Sequence, residues 1–155
     1  MAVRHTVKSN SFQLTIYKQD IRDNMDEIEL IRKFHGHLGP NVIFGYRMGK
    51  LVKSTRPKDV VANVYCGPDV PLSCLIDGIQ LSSGCTMGKN NIKIVGCGEL
   101  KAEFVYKDGR VLTVSVRDDV EKLLNEGITH DNEDERSFAA FNMSDEELFL
   151  ISEKK

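Results

Sequence analysis

The chain has 155 residues, 41% of them apolar, and its 21 Lys and Arg against 23 Asp and Glu give a formal charge of −2 and a pI near 6.1. That length predicts one domain, residues 1–155, able to bury roughly two-thirds of its unfolded surface. The near-neutral balance excludes a nucleic-acid or anionic-lipid footprint, and no run of about 18 apolar residues offers a membrane span.

The N-terminus has basic residues with no apolar stretch behind them, so no signal peptide is read and a cytoplasmic protein is expected. Cysteines stand at 66, 74, 85 and 97. None of their gaps is C-x-x-C, which speaks against a zinc ribbon or a thioredoxin-type pair and makes reduced thiols the default.

In chain order, SFQLTIYKQ places Phe12, Leu14 and Ile16 on one side of an extended segment, so residues 1–23 are read as an N-terminal strand or arm. Residues 24–127 form the motif-bearing core. NMDEIELIRKFH predicts a helix capped by Asn24, with Ile28, Ile31 and Phe34 on one face and a stop near Gly36. Pro40 suits the first turn of a second helix running toward Ser54, with Ile43, Tyr46 and Leu51 as core contacts. Gly45 and Gly49 make a small face there, and each costs about 1 kcal/mol in helix propensity, which implies tight packing against another backbone.

DVVANVYC predicts a strand, and LSCLIDGIQLSS a helix with Leu72, Leu75, Ile76 and Ile79 on one face. IKIVGC, LKAEFVY and VLTVSVR read as further strands, the last two joined by the Asp108-Gly109 hairpin signal. DDVEKLLNEG predicts a helix closed by Gly127. Residues 128–155 are read as a solvated acidic linker followed by a C-terminal helix with a Ser144–Glu147 capping box. The class expected is α+β, an antiparallel sheet flanked by helices.

Two segments carry chemistry. In Phe34-His35-Gly36-His37-Leu38-Gly39-Pro40 the two imidazoles act together only if the helix ends at Gly36; otherwise one His caps the helix and the other is a surface residue. In the second, Cys74, Asp77 and Gln80 precede Ser83-Gly84-Cys85-Thr86-Met87-Gly88-Lys89-Asn90. Gly84 and Gly88 permit backbone approach, and the polar neighbours set Cys74 and Cys85 apart from Cys66 and Cys97, which are read as core. GCTMGK fails the phosphate-loop spacing, so no nucleotide is expected.

Together these motifs resemble the FmdE-like family, named for the E component of formylmethanofuran dehydrogenase: FHGHLGP, then Gly45-Tyr46-Arg47 and Gly49, then C-x-x-D-G-I-Q-x-x-S-G-C-T-x-G-K-x-N at 74–90. The likeness runs from about residue 24 to 117, with SDEELF near the end. It implies an α+β core that pairs as a homodimer, with a cleft lined by His35, His37, Cys74 and Cys85 where a transition metal binds, zinc first, with nickel or iron as alternatives. The family usually shows cysteine where Gly39 stands, and Pro-Gly where Pro40-Asn41 stands. With no cysteine after 97, the chain lacks the C-terminal zinc domain that some relatives add.

Were 74–85 one straight helix, the two cysteine Cα atoms would lie about 16 Å apart at ~1.5 Å per residue, too far to share one ion. The chain is therefore expected to turn back near Gly84, within a dimer. The leading expectation is a metal-binding protein with enzyme chemistry on a small molecule, Asp77 or Lys89 moving protons. Two alternatives stand beside it: an accessory component of a larger molybdenum or tungsten redox enzyme, and a thiol enzyme using Cys85 with its pKa lowered by Lys89.

Overall fold

The computed structural model describes residues 22–54 and 56–155. The strand or arm expected around Phe12, Leu14 and Ile16 lies outside them. The first helix, α1, covers 22–35, so Asn24 sits within it and is not its cap. It stops as expected, because Gly36 takes φ +96, a left-handed conformation that costs glycine no Cβ clash. Ile28 and Ile31 are buried, whereas Phe34 is 52% exposed.

Helices α2 (Pro40–Lys50) and α3 (Cys74–Ser83) are pressed backbone to backbone. A Cβ on Gly45 would strike the Leu75 carbonyl, one on Gly49 the Ser82 hydroxyl, and one on Gly78 the Val42 carbonyl. The small face predicted on α2 thus meets a matching glycine on α3. Pro40 opens α2 at its first turn, as read from the sequence.

The sheet is built from β1 (Val60–Val64), β2 (Ile92–Ile94), β3 (Lys101–Tyr106), β4 (Val111–Val116) and β5 (Phe149–Lys154), in the order β2-β1-β3-β4-β5. Burial alternates along β1, β3 and β4, so one face joins the core with Ile31, Ile43, Phe44, Leu75 and Ile79. The β3–β4 hairpin turns at Gly109, φ +93. The class is α+β, but the sheet is not wholly antiparallel. β2 runs parallel to β1, Ala62 opposite Ile92, because α3 carries the chain across between them.

The C-terminal quarter departs further from expectation. After α4 (Asp118–Asn125), the acidic stretch read as a linker becomes α5 (Glu133–Asn142). Its acids occupy the first turn, where the helix dipole favours them, and Ser137 and Ala140 behind them are fully buried. The Ser144–Glu147 capping box is present, yet the helix it opens, α6 (Asp145–Leu148), lasts one turn. The expected C-terminal helix is instead β5, with Phe149 opposite Val116 and Ile151 opposite Val114.

Arg47 of α2 ties this region down. Its Nη1 donates to the carbonyls of Phe141 and Met143 at 2.7 Å and of Ala140 at 3.3 Å, while Nη2 meets Asp145 at 2.8 Å. The carbonyls that every helix leaves unpaired at its C-terminus are thereby satisfied for α5. Among the described residues no helix is long and apolar enough to cross a membrane.

Candidate functional site

The turn between α1 and α2 brings His35 and His37 side by side, ring centroids 4.7 Å apart. The break at Gly36 makes this geometry, since an uninterrupted helix would point the two rings apart. His35 Nδ1 lies 2.7 Å from Asp77 Oδ2 on α3. A carboxylate only accepts, so Nδ1 carries the proton and Nε2 keeps a lone pair. That Nε2 is buried and has no hydrogen-bond partner. His37 repeats the arrangement with a backbone acceptor: its Nδ1 donates to the Leu38 carbonyl at 2.8 Å, which leaves its Nε2 as the lone-pair nitrogen.

Both imidazoles border a cavity of about 300 Å³ whose walls come from three places. Gly39, Pro40 and Asn41 follow the histidines; Pro71 and Cys74 enter at the start of α3; Asn125, Ile128, Thr129, His130 and Glu133 come from α4, α5 and the connection between them. Cys74 is half-buried. Burial pushes its thiol above the ordinary range, and the Asp77 charge pushes it further the same way.

The structure brings together His35, His37, Cys74 and Asp77, and it separates Cys85 and Lys89 from them. The chain does turn at Gly84, φ +77, but Cys85 then points into the core, fully buried, with its sulfur 3.6 Å from the Val60 carbonyl. Burial raises its pKa; Ser83, the Ala62 amide and Lys89 offset this only in part. A lowered-pKa nucleophile at Cys85 is thereby corrected: a thiol with no access to solvent and a raised pKa holds little thiolate. Lys89 spends its Nζ on the Gly84 carbonyl at 2.9 Å, at the C-terminal end of α3.

The rest of the second motif stitches a loop. Gln80 accepts from the Met87 amide and Thr86 from the Lys89 amide, while Asn90 takes the left-handed φ of +56. Asn91, which no sequence motif singles out, is the anchor: it accepts from the Thr86 amide and donates to the carbonyls of Pro57 and Val60. The cysteine pairing also changes. Cys66 is core as expected, but it is Cys66 that neighbours Cys74 closely enough for one thiol to disfavour ionisation of the other, and Cys97 is exposed.

Four cavity residues, Asn41, Asn125, His130 and Glu133, carry no signal in the motifs. Asn41 is buried, donates to the Pro71 carbonyl at 3.0 Å and accepts from Asn125 at 2.9 Å. His130 and Glu133 are joined at 2.8 Å. Their i,i+3 spacing is visible in the sequence, but the acidic run around it reads as solvated chain. Among the described residues no three His, Cys, Asp or Glu side chains stand close enough together to hold a metal as they are placed.

The architecture and the paired-histidine cavity define a small α+β domain with a built polar site between α1, α3 and α5. The family described as FmdE, molybdenum formylmethanofuran dehydrogenase operon, matches residues 34–151, and the chain belongs to it. The crystal structure of an FmdE-like protein of the tungsten formylmethanofuran dehydrogenase from Syntrophus aciditrophicus shares the fold, with a TM-score of 0.60 and 22% identity over 85% of this chain and 72% of that one. A probable S-adenosyl-L-methionine-binding protein of Archaeoglobus fulgidus is 31% identical over 78 residues. That match takes in 44% of this chain and 20% of the relative, so the chain spans about a fifth of that protein's length.

Proposed function

We propose that this formylmethanofuran dehydrogenase-related protein holds a transition-metal ion in the His-x-His cavity, with Nε2 of His35 and of His37 as nitrogen donors and the Cys74 sulfur as a third. The observation that carries the reading is the His35 Nε2 atom, buried, partnerless and opposite a proton that Asp77 fixes at Nδ1. Carboxylate-held imidazoles of this kind are the usual metal ligands, because the acceptor sets the tautomer and raises the basicity of the free nitrogen. Leaving such a nitrogen buried without a partner costs about 1–3 kcal/mol, which a bound ion would recover.

Nitrogen and sulfur donors favour Zn²⁺, with nickel or iron next, over Mg²⁺ or Ca²⁺. A zinc ion held there supplies Lewis acidity to a small molecule in the cavity. Asp77 serves as the residue that holds the His35 ring and its proton. Pro40, Pro71 and Ile128 give the cavity apolar wall, and Asn125 offers an amide to orient a polar group. Pairing of two copies belongs to the same reading; the exposed Leu30 and Phe34, one turn apart on α1, are the surface on which to test it by light scattering.

The test is elemental analysis of untagged protein after incubation with Zn²⁺ and desalting, with His37→Ala and Cys74→Ser alongside. Near-stoichiometric zinc in the parent and loss in both variants is the expected result; no zinc in the parent overturns the reading. The family's description by a molybdenum enzyme's operon favours a second reading, an accessory component of a larger molybdenum or tungsten complex. Zinc retention without turnover, together with co-purification of such an enzyme, would select it.

A further inference from the structure

His35 and His37 differ in how their Nδ1 protons are held. Asp77, on a separate helix, fixes His35 to the body of the fold, whereas the Leu38 carbonyl that holds His37 belongs to the same turn as the ring. A local acceptor sets the tautomer but does not fix the turn relative to the rest of the cavity. A second carboxylate stands where that tie would be made. Glu133, the first residue of α5, places Oε2 3.7 Å from His37 Nδ1, beyond a hydrogen bond but within ion-pair range.

Its other oxygen, Oε1, meets His130 Nδ1 at 2.8 Å, and its side chain is only 19% exposed although its neighbours in the acidic run face solvent. The helix that presents it is held at both ends. Asp134 faces Arg32 of α1 at 3.4 Å, and Arg47 of α2 satisfies the carbonyls at the far end. A carboxylate on so fixed a helix is a suitable reference point for a neighbouring ring.

We infer that Glu133 is the positioning residue for His37, as Asp77 is for His35, and that His130 aims the Glu133 carboxylate. This rests on the metal reading given above and assigns a role to the α4–α5 connection. Charge drawn from His37 by an ion at Nε2 is offset by the carboxylate on its Nδ1 side, and the α1–α2 turn is tied to α5 through the same contact. His130 is 93% exposed and acts only through Glu133.

The test measures Zn²⁺ affinity by competition with a chromophoric chelator for Glu133→Gln, Glu133→Asp, His130→Ala and the control Glu135→Gln, with melting temperature recorded for each. A loss of about 10–100-fold is expected for Glu133→Gln, the range for partners that orient metal-bound histidines. Part of the loss should be restored in Glu133→Asp, a smaller loss should appear in His130→Ala, and Glu135→Gln should match the parent. Long-range proton–nitrogen spectra of the histidine rings give a readout that simple destabilisation does not move: the His37 Nδ1 resonance should shift in Glu133→Gln while that of His35 stays.

Parent-like zinc affinity in Glu133→Gln, where His37→Ala binds weakly, overturns the role of Glu133 and leaves the metal site standing. Parent-like affinity in both His35→Ala and His37→Ala overturns the metal site itself, and the inference with it. Should Glu133→Gln fail to fold, His130→Ala decides: unchanged affinity and an unmoved His37 resonance overturn the proposal.

Discussion

Asp77 and His35 meet at 2.7 Å across two helices that are forty-two residues apart in the chain, and the contact leaves the far nitrogen of the ring buried with no partner. The motif glycines make this meeting happen. Gly36 ends α1 so that His35 faces inward, and Gly45 and Gly78 let α2 and α3 close until Asp77 reaches the ring.

Replacing Asp77 with alanine removes the acceptor that fixes the Nδ1 proton, and the ring is then free to place its proton on Nε2. Zinc affinity should fall about 10–100-fold in chelator competition. Melting temperature should change little, because Asp77 is partly exposed and the pair lies at the cavity edge. Unchanged affinity would remove Asp77 from the site.

The two motif cysteines should behave in opposite ways. Cys74→Ser is expected to lower zinc retention with little loss of stability, since the side chain is half-buried at the cavity. Cys85→Ser puts a hydroxyl into the core beside Val60 and should cost about 1–3 kcal/mol in urea unfolding while zinc retention stays at the parent level. Thiol labelling of the native protein should reach Cys97 first and Cys85 last. Zinc loss in Cys85→Ser with intact folding would restore the shared-cysteine site.

Gly78→Ala should be the most damaging small substitution in the α2–α3 contact. The added methyl has backbone on its far side, the Val42 carbonyl and the Tyr46 amide, neither of which a rotamer change can move. A loss of about 3 kcal/mol is expected, at the upper end for overpacking. Gly88→Ala, where a Cβ meets nothing within 4 Å, is the control and should be near neutral by thermal unfolding.

Sequence patterns read the helical hairpin well, because glycines at 45 and 49 and a proline at 40 act through local backbone physics. They also read the β3–β4 hairpin, whose Asp108-Gly109 turn is local. The parallel direction of β2 is hidden from them, since it depends on how α3 crosses the sheet. Strand β5 reads as helix because Leu148, Phe149 and Ile151 suit either period over so short a span. In the site, His35 and His37 are legible as a pair. That Cys66, eight residues before Cys74, lies near it while Cys85 does not is a property of packing, and no spacing records it.

Alkaline pH should weaken the fold. Burial holds the thiols of Cys66, Cys74 and Cys85 above their ordinary 9.0, and the hydrogen bond from Tyr65 to Glu103 pushes that phenol from 10.0 to about 12. Below pH 9 these groups keep their protons in both the folded and unfolded chain, and their contribution to stability is complete. As the pH climbs past the unfolded values, the unfolded chain sheds protons first and is favoured, so stability falls until the folded groups ionise as well. Urea midpoints should be flat between about pH 7 and 8.5 and decline from about pH 9 to 11. Replacing Cys85 with alanine should lower the plateau and make the decline shallower; a midpoint that rises across that window would contradict the direction assigned to these groups.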